Sequence, residues 1–413
     1  MSDESGGDHH PADGRRMRTR VVLSAAMLMA GGSLCVDPTI PVMPAIAEAF
    51  DVTTSQVQLT ASFTIVGLGL GQLVVGPLSD VLGRKRTFFV GYVVLVLASV
   101  LAAFAPTFEV LLLARLLQGV SASSGIVVGR AVISDALVGR DAARGFGLAQ
   151  GLLGVSPVLL PILSAVLYDL GGWRASLLAI AGVSLAVAIC VARMMPETLA
   201  VAKRTPAGVR EVLGSYGVAL RNRTLWVMGS VVFLSQAVVL TYAGTSSLVM
   251  TNIFALTPMQ FSVAFTISAF GMVTAGLVFA RIGARFDPAR VLWWMQGSLL
   301  ALHSVFFSLV VTGNVTLVVM VAWATIMMGL QAILLATGIN LALREFSRGI
   351  GAAAALLGTL QYGVGAAILP LGGSMGDASL LPLAIIAVVL VLVGVIVRLL
   401  ATQRAKPGGQ PAG

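Results

Sequence analysis

The chain is dominated by stretches of about 20 apolar residues that carry few charges and follow one another along most of its length. Of the 413 residues, 57% are hydrophobic and only 10% are charged, whereas a soluble domain has about a quarter of its residues charged. A water-soluble core cannot bury so much apolar surface. A helix of about 20 apolar residues spans the roughly 30 Å hydrocarbon layer of a bilayer. We therefore predict an all-α integral membrane protein.

The apolar runs predict twelve transmembrane helices. Their expected ranges are 20–45, 55–78, 87–106, 109–134, 146–169, 173–195, 224–249, 258–280, 289–312, 315–343, 351–375 and 379–400. We expect a disordered cytoplasmic tail over 1–19, a six-helix bundle over 20–195, a cytoplasmic linker over 196–223, a second six-helix bundle over 224–400 and a tail over 401–413. An amphipathic stretch from Val209 to Leu220 predicts a linker helix that lies on the membrane face.

The basic residues favour one orientation of this topology. Alternate loops hold clusters of Arg and Lys, and the loops between them hold only Arg174. The clusters are Arg15, Arg16, Arg18 and Arg20; Arg84, Lys85 and Arg86; Arg140 and Arg144; Arg281, Arg285 and Arg290; Arg344 and Arg348. Loops rich in Arg and Lys stay on the cytoplasmic side of a membrane, so we expect both termini on the cytoplasmic side of a cell membrane. We interpret the net charge of +9 as this topology signal and expect no nucleic-acid partner.

The sequence lacks the common motifs of nucleotide and metal chemistry. It contains no G-x-x-x-x-G-K-S/T phosphate loop, no H-E-x-x-H zinc motif and no G-x-S-x-G nucleophile elbow. Cys35 and Cys190 lie in different predicted helices and make neither a disulfide framework nor a metal set. We expect no enzyme activity, no metal and no cofactor, so energy for any transport must come from elsewhere.

One acidic residue, Asp37, falls well inside an apolar span. It follows Arg20 by 17 residues, which is roughly 25 Å along a helix. Ser33, Pro41 and Pro44 share its face at helical spacing, and that face is expected to line a cavity. An ionisable group in the membrane is costly and is a functional hypothesis by default.

Arg115 in predicted helix 4 is expected at a similar depth. Arg115 begins one face of this helix. The outer end of the face is polar, and its inner end has small residues that let another helix approach closely. The residues of the face are Arg115, Gln118, Ala122, Gly125 and Gly129. One interpretation is structural, with Arg115 in a static ion pair or bound by backbone carbonyls. The other is that Asp37 takes up and releases a proton while Arg115 sets its pKa and cargo disturbs the balance.

The loop after predicted helix 2 reads GPLSDVLGRKR, from Gly76 to Arg86. Glycine permits a tight turn at Gly83, while Asp80 and the basic residues can bind helix ends and acids nearby. Asp135 at the end of predicted helix 4 is the expected partner. A signal for membrane orientation would explain the basic residues of this loop, but it would not explain the spacing of Asp80 and Gly83.

Further residues are candidates for a hinge or for contact with cargo. Predicted helix 5 combines small residues with two prolines, and a hinge is expected at Gly154, Pro157 and Pro161. Polar and aromatic residues in the second bundle are candidates for the cavity wall, although helix packing explains each one equally well: Tyr242, Gln331, Gln361 and Tyr362.

At these motifs the chain resembles the major facilitator superfamily, and more narrowly its drug:proton antiporters of the bicyclomycin and chloramphenicol resistance type (Bcr/CflA). GPLSDVLGRKR is similar to the superfamily signature, and DPTIPVMPAIAEAF and RLLQGVSASSG are similar to the helix 1 and helix 4 motifs of the subfamily. The resemblance implies that Asp37 and Arg115 couple proton and substrate, and that Asp80, Arg84 and Asp135 form a cytoplasmic gate. The helix 5 antiporter motif departs from the pattern, because Ser156 precedes Pro157.

The sequence therefore predicts a proton-coupled exporter of small amphipathic drugs, built as two bundles around a central cavity. Its expected partners are a small drug-like molecule, protons and the lipid bilayer. Two alternatives remain open at this point: an uptake symporter or facilitator of the same fold for a small metabolite, and a membrane receptor that does not transport.

Overall fold

A computed structural model describes residues 11–33, 35, 37–137, 139–199, 209–344, 346, 350–373 and 379–404. Over this part of the chain the regular structure is helical, as predicted. The helices are α1 Pro11–Ser33, α2 Met43–Phe50, α3 Thr54–Leu82, α4 Arg84–Ala103, α5 Phe108–Ala136, α6 Gly139–Met194, α7 Val209–Arg221, α8 Arg223–Phe254, α9 Pro258–Ile282, α10 Pro288–Val311, α11 Leu317–Leu343, α12 Ile350–Ile368 and α13 Leu381–Arg404.

These helices account for the twelve expected spans. Ten helices of the described chain are long and apolar enough to cross a membrane, and a shorter apolar helix covers 19–31. The longest, α6, contains two spans, because its backbone leaves helical geometry at Gly171 and Gly172. Gly172 has φ of 66°, a conformation that a residue without a Cβ adopts at little cost. The linker helix α7 forms where the amphipathic stretch predicts it.

The first predicted span is wrong in its continuity. A single helix over 20–45 was expected, but α1 ends at Ser33, a 3₁₀ helix runs over Asp37–Val42, and α2 follows. Proline has no backbone N–H and its ring clashes with the preceding turn, so Pro38 and Pro41 interrupt the α-helix. Asp37 therefore lies at a break between helices and not on a regular α-helical face. At the other end, α1 already begins at Pro11, within the expected tail.

The helices pack in two groups that meet along two helix pairs. In the first group, α5 packs against α1, α3 and α4, and α6 packs against α1 and α4. In the second, α8 contacts α11, α12 and α13, and α10 contacts α11 and α13. The groups touch most extensively where α3 meets α12 and where α6 meets α9, and the 3₁₀ helix Asp37–Val42 also contacts α8 and α9. We refer below to the Gly83 end, where α3 ends and α4 begins, and to the Thr107 end, where α5 begins.

Glycines allow the closest approaches within the first group. An added Cβ at Gly119 of α5 would overlap the carbonyl oxygen of Thr64 in α3, and one at Gly67 would overlap that of Leu116. Small residues at both positions let the two backbones touch, which is a common way for membrane helices to associate. The α3 and α5 helices therefore hold Arg115, which lies one turn before Gly119, at a fixed height.

We predict that Gly119→Ala destabilises the fold, because a methyl group in this contact must push α3 and α5 apart. Overpacking of this kind costs about 1–3 kcal/mol. The matched control is Gly182→Ala in α6, where an added Cβ meets nothing within 4 Å. Thermal unfolding in detergent should show a lower midpoint for the first variant only. Equal midpoints for Gly119→Ala and the parent protein would contradict the packing.

Candidate functional site

Arg115 is fully buried, and its guanidinium hydrogen-bonds to groups on three helical segments. Nη2 donates to the carbonyl oxygen of Cys35 at 2.6 Å, Nη1 to Oε1 of Gln118 at 2.6 Å, and Nε to the carbonyl oxygen of Thr60 at 3.4 Å. Cys35 follows α1, Thr60 is in α3, and Gln118 is in α5 with the arginine. A buried cation is tolerated only when its donors are paired, and hydrogen bonds from an ionised group are the strong ones.

The carbonyl that binds Nη2 belongs to the segment that carries Asp37. Cys35 lies two residues before Asp37, so the guanidinium is held against the break between α1 and α2. The guanidinium therefore lies against the backbone two residues before Asp37. The Asp37 side chain lies outside the described residues. The carbonyl contact agrees with the structural interpretation of Arg115, and the coupling role of the two residues stays a prediction.

Gln118 extends the network to a fourth helix. Its Nε2 donates to Oγ of Ser99 in α4 at 2.8 Å, and that hydroxyl donates to the carbonyl oxygen of Leu95 at 2.7 Å. Gln118 and Ser99 are both fully buried. The amide thus accepts from the guanidinium with its oxygen and donates with its nitrogen, which fixes its orientation. The four helical segments around Arg115 are therefore linked by one chain of hydrogen bonds.

The small residues that follow Arg115 on the same face of α5 let another helix approach closely, as predicted. An added Cβ at Gly125 would overlap the carbonyl oxygen of Leu28, and one at Gly129 would lie 2.8 Å from that of Ala25. Both carbonyls belong to α1. This face of α5 is therefore polar at Arg115, and its small residues further along the helix contact α1 closely.

At the Gly83 end, Asp80, Arg84 and Asp135 lie together. Arg84 donates from Nη1 to Oδ1 of Asp80 at 2.6 Å and to Oγ of Ser79 at 2.6 Å, and from Nε to Oδ2 of Asp135 at 2.9 Å. Gly83 joins α3 to α4 with φ of 92°, in the region that favours glycine. Arg84 is only 8% exposed, and the Asp135 side chain is 21% exposed while that of Asp80 is 51% exposed, so the pair with Asp135 is the better protected from water.

Glu197, which the sequence reading missed, completes this cluster. Its carboxylate accepts the backbone N–H of Arg84 at 3.0 Å and of Lys85 at 3.2 Å, so an acid caps the first turn of α4. The hydroxyl of the next residue, Thr198, donates to Oδ2 of Asp135 at 3.3 Å. An acid directly after the last span of the first bundle was a signal available in the sequence. The cluster joins the ends of α3, α5 and α6 to the start of α4.

The cavity candidates of the second group differ in their surroundings. Tyr242 is fully buried, stacks on Phe265 with ring centroids 5.8 Å apart, and has its hydroxyl 3.3 Å from Oγ of Ser268. It also meets Trp323 edge to face at 5.7 Å. Tyr242 therefore packs in an aromatic core, which favours the packing interpretation. Gln331 is 4% exposed, and its Nε2 has no hydrogen-bond partner among the described residues.

Gln361 and Tyr362 are half-buried in α12, the helix that faces α3. The two helices approach closely two residues before Gln361, where Oγ1 of Thr359 donates to the carbonyl oxygen of Gly69 at 2.8 Å. The same interface continues to the Thr107 end, where Oγ of Ser55 donates to the carbonyl oxygen of Pro370 at 3.4 Å. Gln361 and Tyr362 thus lie beside the contact between the two groups.

The hinge candidates fall in α6, which stays helical in its backbone through Pro157 and Pro161. The surroundings of Gly154 and the side chain of Pro157 lie outside the described part of the chain. Pro161 is buried, and its carbonyl oxygen accepts from Oγ of Ser262 in α9 at 2.9 Å. One turn away, Thr266 donates to the carbonyl oxygen of Val158 at 2.8 Å. A hinge role stays a prediction, but this part of α6 lies in the contact between the groups.

Comparison with known proteins agrees with this architecture. The chain is similar over 94% of its length to an uncharacterized MFS-type transporter, YdgK, of Bacillus subtilis, with 26% identity over 390 residues and 96% of that protein covered. It is 36% identical over 182 residues to a chloramphenicol resistance protein of Pseudomonas aeruginosa, which covers 44% of this chain and 43% of that one.

The fold is similar to a crystal structure of the human organic anion transporter MFSD10 (TETRAN), with a TM-score of 0.67 and 19% identity, covering 94% of this chain and 100% of that one. The model of the family described as Major Facilitator Superfamily matches residues 21–370, which include the helices from α2 to α12 and both buried clusters. The chain therefore belongs to the Major Facilitator Superfamily and is a multi-pass membrane transporter, not an enzyme.

Proposed function

We propose that the protein exports small amphipathic, drug-like compounds in exchange for protons, as an antiporter of the Bcr/CflA type. The observation that carries this proposal is the buried guanidinium of Arg115 bound at 2.6 Å to the carbonyl of Cys35, two residues from Asp37. A carboxyl group beside a fixed cation in a poorly hydrated site responds strongly to whatever else enters that site. Cargo that disturbs this pairing would change the affinity of Asp37 for a proton.

Alternating access is supported by where the two groups of helices touch. Towards the Thr107 end, Ser55 of α3 meets Pro370 just after α12, and Pro161 of α6 meets Ser262 of α9. Ile40, in the break after α1, packs in the apolar core of the second group. We infer a state that is closed at the Thr107 end. Because these links are hydrogen bonds and apolar contacts between separate groups, they can be released by rocking one group against the other.

The direction and compartment of transport belong to the same proposal. The 36% identity to a chloramphenicol resistance protein favours export of a drug over uptake of a metabolite. The Gly83 end carries the basic loops, so we place it and both termini in the cytoplasm of a cell whose plasma membrane holds the protein. An uptake symporter would move substrate and protons in the same direction, and flux assays in oriented vesicles separate the two functions.

We predict that Asp37→Asn abolishes proton-driven efflux while the protein still folds and inserts. The amide is nearly the same size as the carboxyl group but cannot take up and release a proton at physiological pH. The measurement is drug transport in proteoliposomes under a pH gradient, with unfolding midpoints recorded for both proteins. Unchanged efflux by Asp37→Asn would remove this residue from the mechanism.

Arg115→Lys should reduce transport by tenfold or more while expression stays near normal. Lysine keeps the charge but lacks the planar fork that reaches Cys35 and Gln118 together. The matched control is Arg174→Lys at the exposed Thr107 end, where the guanidinium only lies over Trp173, 4.3 Å from its ring centre. Transport at the parental rate by the Arg115 variant would refute the binding role.

For the proposed cytoplasmic gate, Asp135→Asn should lower stability by about 1–3 kcal/mol and slow transport, because a hydrogen bond to the charged Arg84 is weakened. Asp135→Glu, which keeps the charge, should recover part of the rate. Glu109→Gln is the control, since Glu109 is exposed at the opposite end. A gate role would be excluded if Asp135→Asn behaved as the control does in both unfolding and transport assays.

A further inference from the structure

A lateral groove separates α4 from the second half of α6 on the outer surface of the first group. It consists of two adjoining cavities of about 380 and 590 Å³ that share Phe89 and Ala192. The walls are apolar and open to the surroundings, since Leu97 is 63% and Leu185 49% exposed. The groove is distinct from the Arg115 network, which lies inside the bundle.

The floor of the groove is an aromatic ring that presents no polar atom to it. Tyr92 lines the groove but is fully buried, and its hydroxyl donates to the carbonyl oxygen of Leu28 in α1 at 3.2 Å. The hydroxyl is therefore turned into the bundle, away from the groove. A saturated hydrocarbon chain is the occupant that such a floor favours.

Three cations stand at the Gly83 end of the groove: Lys85, Arg86 and Arg193. All three are exposed, and none forms an ion pair within the described part of the chain. The acid at this end is Glu197, whose carboxylate accepts from the backbone N–H groups of α4. The mouth is therefore positively charged, while the rest of the groove is apolar.

The length of the groove matches one leaflet. Lys85 and Leu97 are 12 residues apart on α4, which corresponds to about 18 Å of helix. One half of a bilayer hydrocarbon core is about 15 Å thick. A chain lying along α4 would therefore end near the bilayer centre, with its head group at the cations.

We propose that this groove binds an anionic phospholipid, with its phosphate at Lys85, Arg86 and Arg193 and an acyl chain along Val93 and Ile189. Basic pockets at the ends of membrane helices attract anionic head groups, and each cation adds to the affinity. The lipid would also contact the start of α4, directly beside the cluster of Arg84 and Glu197. The inference needs only the membrane location, not the proposed drug export.

The test is native mass spectrometry of the delipidated full-length protein titrated with phosphatidylglycerol or with phosphatidylcholine. We expect tighter binding of phosphatidylglycerol, and about 30-fold weaker binding of it by the double variant Arg86→Gln/Arg193→Gln, from the usual contribution of two cations. The matched control is Arg174→Gln/Arg290→Gln, which removes two exposed arginines away from the groove. The control should bind phosphatidylglycerol as the parent does.

Two further arms separate a lipid from other occupants. Ile189→Trp narrows the apolar part and keeps the cations, so it should also weaken phosphatidylglycerol binding, and soluble glycerol 1-phosphate should not compete. Equal binding of the two lipids, parental affinity in the double variant or in Ile189→Trp, or full competition by glycerol phosphate would each overturn the proposal. So would a dimer in the spectra that the double variant dissociates, because a second copy would then cover the groove.

Discussion

The structure of the first bundle depends on how it accommodates one buried positive charge. Removing a guanidinium from water costs several kcal/mol unless its donors are paired. Arg115 meets this cost with a carbonyl after α1, a carbonyl in α3 and an amide in α5, and that amide is itself held by a hydroxyl in α4. Four segments must therefore keep their positions for one charge to stay satisfied. A ligand that competes for any of these hydrogen bonds therefore affects the positions of all four segments.

The break after α1 is the second part of this arrangement. In a regular α-helix each carbonyl accepts from the N–H four residues later, which leaves it one lone pair for a side chain. Pro38 and Pro41 interrupt that pattern just after Cys35, whose carbonyl accepts from Arg115. The prolines that interrupt the first span as a continuous helix thus lie directly after the acceptor for the buried cation. Asp37 begins the irregular segment, so its backbone is tied to the arginine by two residues of chain.

Much of this was predictable from sequence, because membrane helices leave a strong signal. Apolar runs and alternating basic loops predict the twelve spans, and the spacing of Asp80, Gly83 and Arg84 indicates a turn with an acid partner at Asp135. The break near Asp37 was missed because a hydrophobic run does not distinguish an α-helix from a 3₁₀ helix. Glu197 was missed because its partners are backbone N–H groups 112 and 113 residues away in sequence. Tyr242 was a candidate for the cavity wall because it is both polar and aromatic, but only the structure shows that it packs against Phe265 and Trp323.

The central claim is that cargo and a proton compete at the segment held by Arg115. The most direct measurement is proton release when a transported drug is added to the purified protein in weakly buffered detergent solution. We predict release of protons in proportion to the drug bound, and none when the carboxyl group at position 37 is absent. Drug binding without any proton release, at every pH where the protein binds drug, would contradict the claim.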